Sequence, residues 1–352
     1  MNKLCFLIGT ALMFIACQQQ YTPFETAHWI GVALGDQPSY DEDGHANLPA
    51  TYLKRDFCIE GKVKKAELSI VGLGYSTCTI NGYNVTTDIM GSLPSNYDRT
   101  VYYNTYDVTN LLQTGENCIN VTLGSGYFVG MIQKWDMPFF GEPRLLAELR
   151  IKTNKGTMII PSDTLWQVSD NGPIVMNNLY DGETYDAAKE TITDWHKADT
   201  LSAPSGQLLL QPTRGMQVHK TIRPADVRLL PNGHVLVDMG TNMVGWFSIK
   251  GQASDSPVVM RFAESLLPDC TGVYTANLRS ARCVNTYLPA HTGAFTYCPQ
   301  TVYQGFRFVE IEGLATMPDT NDIEGIIFYD DVETTATFEC SNPLLNQLFA
   351  AA

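Results

Sequence analysis

The sequence carries little positive charge for its length. Its 352 residues include 23 Lys and Arg against 37 Asp and Glu, which leaves a formal charge of −14 at pH 7. A surface of this sign repels phosphate backbones and anionic lipid headgroups, so we expect no nucleic-acid partner. With 44% hydrophobic residues and a length that allows two to three domains of about 150 residues, the chain is expected to fold.

Long apolar runs are also missing after the first sixteen residues, where nothing approaches the roughly 20 residues that a membrane helix needs. Residues 1–16 carry Lys3 and then an apolar run, which is typical of an export signal. Phe14-Ile15-Ala16-Cys17 resembles a bacterial lipobox, although Leu is usual where Phe14 stands. The alternatives are an ordinary cleaved signal and a misread buried strand. The lipobox predicts an exported bacterial lipoprotein, periplasmic or on the outer-membrane surface, tethered to the membrane through Cys17.

Motifs that would carry zinc, nucleotide or nucleophile chemistry are missing from the sequence. It has no C-x-x-C, H-x-x-x-H, G-x-S-x-G or Walker lysine motif, and no G-x-G-x-x-G is completed. We therefore expect no cofactor. Calcium stays open, because Asp41-Glu42-Asp43 could hold the ion but lacks the ordered spacing of a calcium loop. A solvated loop is the simpler interpretation of these three residues.

The sequence does contain many short runs of Val, Ile, Tyr, Phe and Thr in alternation, broken by Gly, Asn, Asp and Pro about every ten residues. This pattern predicts an all-β chain whose strands have one buried and one solvated face, as in a sandwich. Asn81-Gly82 between two such runs predicts a tight hairpin over about 76–87. The prolines between 196 and 232 place a domain boundary near 222. Cys58, Cys78 and Cys118 lie inside strand-like runs, where buried small hydrophobes are expected.

The C-terminal segment differs in kind. Asn342 followed by Pro343 is typical of a helix start, and the apolar residues after it recur on one helical face. We expect the beginning of an amphipathic helix, which is too short to be stable without a partner.

Two stretches contain candidate functional residues. The aromatic loop from 127 to 140 carries Tyr127, Trp135 and Asp136, and exposed aromatic faces beside polar groups suit carbohydrate, because sugars stack their C–H faces on rings. Packing between two domains would use the same aromatics and is the alternative. The acidic cluster at Glu183 and Asp186 could supply a carboxylate pair of the kind that glycosidases use, but turn capping and solvation are the usual explanation of such a cluster.

A series of short motifs resembles landmarks of the bacterial α-L-rhamnosidases, in family order from about residue 52 to the end. The motifs are Ala66-Glu67-Leu68, Gly72-Leu73-Gly74-Tyr75, Ile80-Asn81-Gly82, Tyr103 to Thr109, Leu123 to Tyr127, Tyr180 to Ala187, Asp238 to Trp246, Ala263-Glu264, Asn277-Leu278-Arg279, Tyr303 to Glu310 and Phe338 to Asn342. Two departures occur. Where the family usually has Tyr-Asp-Ala-Arg, this sequence has Ala188 in place of the arginine. Where the family usually has an aspartate, this sequence has Asn285. We interpret both departures as drift in a noncatalytic surface.

The resemblance implies two consecutive antiparallel β-sandwiches of the jelly-roll or concanavalin-like type. It divides the chain into a signal peptide (1–16), a lipidated segment (17–50), a rhamnosidase N-terminal-like sandwich (51–222), a concanavalin-like sandwich (223–334) and the truncated start of a helical catalytic domain (335–352).

In that family the hydrolytic carboxylates lie in an (α/α)6 barrel after the last landmark, so the resemblance implies no catalytic residue in this chain. The expected function is a scaffold that binds rhamnose-containing oligosaccharides or glycans. Two alternatives stay open: a catalytically active α-L-rhamnosidase that uses Glu183 and Asp186, and a purely structural surface module.

Overall fold

The computed structural model describes residues 22–33, 40–129, 140–333 and 335–351, and the predicted all-β class is confirmed over these residues. In chain order the strands are β1 (Ile30–Gly31), β2 (Thr51–Ile59), β3 (Val63–Leu73), β4 (Ser76–Ile80), β5 (Tyr83–Asn84), β6 (Thr100–Asp107), β7 (Gly115–Leu123), β8 (Arg144–Thr153), β9 (Thr157–Pro161), β10 (Gln167–Ser169), β11 (Ile174–Asn178), β12 (Gly182–Asp186), β13 (His196–Lys197), β14 (Asp199–Thr200), β15 (Gln207–Leu210), β16 (Met216–Ile222), β17 (Asp226–Leu229), β18 (Val235–Ala253), β19 (Val258–Ala263), β20 (Ser265–Leu266), β21 (Val273–Tyr274), β22 (Val284–Leu288), β23 (Gly293–Tyr297), β24 (Gln304–Glu312) and β25 (Ile323–Asp330). The helix α1 spans Pro343–Ala351, and short 3-10 helices span Thr109–Leu111, Ala187–Lys189, Ala276–Leu278 and Thr320–Asp322.

Two facing sheets build the first sandwich. One has the order β14-β1-β8-β3-β6-β15, with β9 beside β8, and the other has the order β13-β10-β2-β7-β4-β5. Alternation along β7 turns Ile119 and Val121 inward and leaves Asn120 outside, as one-sided strands require. Trp166 and Leu68 lie fully buried in the same core.

The predicted hairpin forms between β4 and β5, where Asn81 has φ 52° and Gly82 has φ 83°. Both central residues therefore adopt the left-handed conformation that a type I′ turn requires. The prediction for Cys58 is wrong: the thiol is exposed, because Phe57 and Ile59 on either side of it face the core.

A ten-stranded sheet builds the second sandwich, in the order β11-β12-β22-β19-β24-β18-β25-β16, with β17 and β23 also paired to β18. The 19-residue strand β18 pairs with four partners along its length, and its register against β24 shifts between Asp238 and Met243. Phe247, Phe262 and Phe306 meet edge to face in its core, with ring centroids 5.0–6.2 Å apart.

The hairpin β11–β12 belongs to this second sheet although the chain reaches it before β13, β14 and β15 of the first sandwich. Strand β12 pairs with β22 in parallel, and β15 pairs with β6 in parallel, so both sandwiches contain one parallel pair among antiparallel ones. Strand β16, which ends at the predicted boundary near 222, also pairs within the second sheet. The domain limits stay a prediction, but the β11–β12 hairpin shows that a segment inside the range expected for the first sandwich pairs in the sheet of the second.

The helix α1 begins at Pro343, with the side chain of Asn342 accepting a hydrogen bond from the Leu344 backbone at 3.0 Å, as the sequence pattern predicts. Its apolar residues Leu344, Leu345, Leu348 and Phe349 are exposed. Among the described residues, no helix has the length and apolar character to cross a membrane.

Candidate functional site

Tyr127 lies just beyond the end of β7, where two glycine-rich turns touch. A Cβ on Gly74, which has φ 72°, would lie 1.8 Å from the carbonyl oxygen of Gly124, so only glycine fits this approach. The close contact brings Tyr127 beside Tyr75, with the two rings edge to face at 6.4 Å. Tyr127 as a residue is 37% exposed.

The hydroxyl of Tyr127 interacts electrostatically with that of Tyr303, which belongs to the second sandwich. Partial burial raises the pKa of Tyr127 to about 12, and the Tyr303 hydroxyl adds to the shift. Burial likewise raises the pKa of Tyr75 well above its ordinary value. Tyr127 therefore stays a neutral phenol that can donate and accept hydrogen bonds at any physiological pH.

An apolar cluster joins Tyr75 of the first sandwich to aromatic residues of the second. Tyr303 packs against Phe328 at 5.9 Å, and Phe328 packs against Trp246 at 4.9 Å. The indole of Trp246 donates a hydrogen bond to the Val302 carbonyl at 2.8 Å. Tyr127 contacts this cluster through Tyr75 and is itself partly exposed. Trp135 and Asp136 lie outside the described residues, as does Cys17.

Glu183 and Asp186 occupy β12 in two different environments. The Glu183 carboxylate is fully buried and accepts hydrogen bonds from the Tyr297 hydroxyl (3.1 Å), the Gln300 backbone (3.3 Å), and the backbone (3.1 Å) and hydroxyl (2.7 Å) of Thr301. Asp186 is half-buried and caps the following 3-10 helix by accepting the Ala188 backbone N–H. Three residues apart on a strand, the two side chains point to opposite faces, so they do not converge on one point.

Burial raises the pKa of Glu183, and the four hydrogen bonds oppose that shift. A glycosidase acid must reach the leaving-group oxygen of a bound sugar. Glu183 has no solvent-facing surface and already accepts four hydrogen bonds, so the arrangement suits a structural carboxylate.

A buried contact between two polar side chains, His45 and Asp181, joins the loop near residue 45 to the segment before β12. His45 Nδ1 lies 2.6 Å from Oδ2 of Asp181, and both side chains are buried. Burial raises the pKa of Asp181, and the contact with His45 opposes the shift. Arg282 reaches back to Asp41 (2.7 Å) and Asp43 (2.9 Å), so the acidic run is a loop with exposed residues that is also anchored by ion pairs. Within the described ranges no group of three or more His, Cys, Asp or Glu could hold a metal ion.

Sequence motifs far apart in the chain meet through polar contacts. Arg307 donates two hydrogen bonds to the Asp238 carboxylate, at 2.8 and 2.9 Å, and holds the pKa of Asp238 below its ordinary value. Asn242 donates to Glu264 at 3.1 Å. These motifs therefore mark structural contacts of the second sandwich.

Asn285 is fully buried, so drift on an exposed surface does not describe it. Its side-chain oxygen accepts hydrogen bonds from the Glu183 backbone (3.1 Å) and from the Gln304 amide (3.2 Å). Asn285 thus lies beside Glu183 in the same buried polar layer. Ala188, the other departure, is exposed.

Two family models match the chain. The α-L-rhamnosidase N-terminal domain matches residues 61–220, and the bacterial α-L-rhamnosidase concanavalin-like domain matches residues 228–329. An α-L-rhamnosidase of Streptomyces avermitilis is 33% identical over 85% of this chain and 30% of its own length. One of Formosa agariphila is 30% identical over 92% of this chain and 36% of its own length.

Solved structures give the same result. The α-L-rhamnosidase structure from Dictyoglumus thermophilum has a TM-score of 0.81 at 30% identity, covering 91% of this chain and 38% of that one. The Streptomyces avermitilis α-L-rhamnosidase complexed with L-rhamnose has a TM-score of 0.78 at 32% identity, covering 87% and 31%. The chain spans about a third of the length of the relatives it matches.

Proposed function

The chain belongs to the bacterial α-L-rhamnosidase family, and from that premise we propose that it acts as the noncatalytic β-domain portion of an α-L-rhamnosidase-like glycoside hydrolase, serving as scaffold and as a binding module for rhamnose-containing glycans. The observation that carries the proposal is Tyr127, a partly exposed neutral phenol held between the two matched domains.

The chemistry of the ligand fits this face. A deoxy sugar presents a methyl group and a C–H face for stacking, and hydroxyls for hydrogen bonding beside it. The solvent-facing part of the Tyr127 ring offers the stacking surface, and the hydroxyls of Tyr127 and Tyr303 offer donors and acceptors. The Streptomyces avermitilis structure contains L-rhamnose, which supports rhamnose as the first sugar to test.

The noncatalytic part of the proposal rests on Glu183. Its burial and its four hydrogen bonds leave it unsuited to protonate a substrate. Rhamnoside hydrolysis by the purified chain, lost in Glu183→Gln, would overturn this part and favour the enzymatic alternative.

The binding part is tested by titrating the chain with L-rhamnose and with rhamnose-containing oligosaccharides in an isothermal calorimeter. Tyr127→Ala removes the stacking face and should weaken binding about two- to tenfold, which corresponds to about 0.5–1.5 kcal/mol. Tyr127→Phe keeps the ring and should lose less. The matched control is Tyr83→Ala, which removes an exposed tyrosine from the β4–β5 turn and should leave the affinity unchanged.

Absence of binding by the unmodified chain across a panel of plant and bacterial glycans would favour the purely structural alternative. Equal loss in Tyr127→Ala and Tyr83→Ala would place the binding face elsewhere.

The proposal also includes the anchor. Lys3, the apolar run and Cys17 support export and lipid attachment at the cell envelope. A lipid on Cys17 would tether a folded β-domain body near the membrane.

A further inference from the structure

The Glu183 carboxylate accepts more hydrogen bonds than its position in strand β12 requires. Three of its four bonds come from Gln300 and Thr301, in the loop between β23 and β24, and none of the four donors is a cation. Burying a carboxylate is costly unless its oxygens are satisfied. The loop offsets this cost, because its backbone places two consecutive N–H groups, those of Gln300 and Thr301, against the same carboxylate oxygen of Glu183.

The loop held by Glu183 also touches the turn that leads to Tyr127. A Cβ on Gly124 would lie 2.7 Å from the Cβ of Thr301, so the backbone of Gly124 packs directly against the Thr301 side chain. Two residues beyond Thr301, the ring of Tyr303 packs against that of Tyr75 with centroids 6.5 Å apart, and the Tyr303 side chain interacts electrostatically with Tyr127. Contacts through Thr301 and Tyr303 therefore link Glu183 to Tyr127.

The β11–β12 hairpin, which carries Glu183, also contacts the glycine turn that leads to Tyr127. Asn177, at the end of β11, accepts the Ser125 backbone N–H at 2.6 Å and is itself buried. Residues 177 and 183 therefore fix the two neighbours of Tyr127, the glycine turn and the loop around Thr301, from one hairpin.

We infer that Glu183 is a positioning residue for the Tyr127 face: it fixes the 300–303 loop, and the loop fixes the orientation of Tyr127. Its functional meaning rests on the proposed function of Tyr127 in sugar binding. The positional claim stands without it and is tested separately.

The test is acetylation of tyrosines in the full chain by N-acetylimidazole, read by mass spectrometry after digestion. The rate at Tyr127 is divided by the rate at Tyr83, which is 67% exposed and lies in a hairpin that Glu183 does not contact. Acetylation of Tyr106 reports global unfolding, because this residue packs against the core of the first sandwich and its hydroxyl donates a hydrogen bond to Asp88.

Glu183→Ala and the milder Thr301→Val should raise the Tyr127 ratio, by at most about tenfold for each unit by which the pKa of Tyr127 falls toward its ordinary value of about 10. Glu183→Gln keeps an oxygen for the Thr301 donors and should restore the wild-type ratio. Asp186→Asn, on the opposite face of β12, is the control and should leave it unchanged.

An unchanged Tyr127 ratio in both Glu183→Ala and Thr301→Val would overturn the inference, as would a parallel rise at Tyr106 in both, which would mean that Glu183 holds the whole fold. Sugar affinity is measured in the same variants. A changed Tyr127 ratio in a chain that binds no glycan would refute the proposed function and leave the positioning role intact.

Discussion

His45 and Asp181, 136 residues apart, form a buried contact of 2.6 Å that pins the 40–48 loop onto the segment preceding β12. Removing one partner of a buried hydrogen-bonded pair leaves the other desolvated without that bond, which costs about 1–3 kcal/mol. We expect His45→Ala to lower the free energy of unfolding by an amount in this range, measured by urea denaturation.

The control for His45→Ala is Lys65→Ala, which breaks the exposed ion pair with Glu67 at 2.9 Å. Exposed pairs contribute about 0–1 kcal/mol, so this change should be close to neutral. A similar, small loss in both variants would show that His45 contributes no more than a surface pair does.

The pH dependence of stability should differ in sign between Glu183 and Asp238. The pKa of Glu183 is raised in the folded chain by burial, so its contribution to stability is fully present below the ordinary value of 4.5 and is lost as pH rises through the folded value. The melting temperature of the wild type minus that of Glu183→Gln should therefore increase as pH falls from 7 to 4.5.

Asp238 provides the opposite case. Its pKa is lowered in the folded chain, chiefly by Arg307, so its contribution is present above the ordinary value of 3.8 and is lost as pH falls through the folded value. The wild type minus Asp238→Asn difference should shrink with acidification, by a small amount because Arg307 is partly exposed. Differences that move in the same direction for both carboxylates would contradict these assignments.

Local sequence patterns predicted the strands because each strand has one buried face, as in β7, and predicted the hairpin because Asn81-Gly82 accepts positive φ. The partners of Glu183 could not be predicted, because they lie 114–118 residues further along the chain. Nor does any local pattern show that β12 pairs with β22, since that depends on how the two sandwiches share segments. The exposure of Cys58 was available from the sequence, because Phe57 and Ile59 flank it in alternation.

The anchor is tested by Cys17→Ala in a bacterial host that processes lipoproteins. The change should release the protein from the membrane fraction, because the lipid is lost and no later run is apolar enough to hold the chain. Unchanged partitioning, measured by fractionation and immunoblotting, would contradict lipid attachment at Cys17. Cys58→Ala removes an exposed thiol elsewhere and should leave partitioning unchanged.

The last prediction concerns residues 342–352. Leu344, Leu345, Leu348 and Phe349 are about half exposed on α1, with Phe338 as a neighbour of Phe349 at 5.4 Å. An apolar side chain gains about 1.5–3 kcal/mol only when it is fully buried, whereas ordering each residue costs about 1–2 kcal/mol of backbone entropy. We therefore expect this segment to be poorly ordered in solution and to contribute little to the stability of the two sandwiches. Deleting it should leave the melting temperature nearly unchanged and reduce the self-association that exposed apolar residues promote, measured by sedimentation velocity. Leu344→Ser with Leu348→Ser in the full chain should reduce self-association to the same degree, which separates the apolar face from chain length. A deletion that strongly lowers the melting temperature would instead show that α1 docks on the β-domains, because only a buried helix face can supply that much stability.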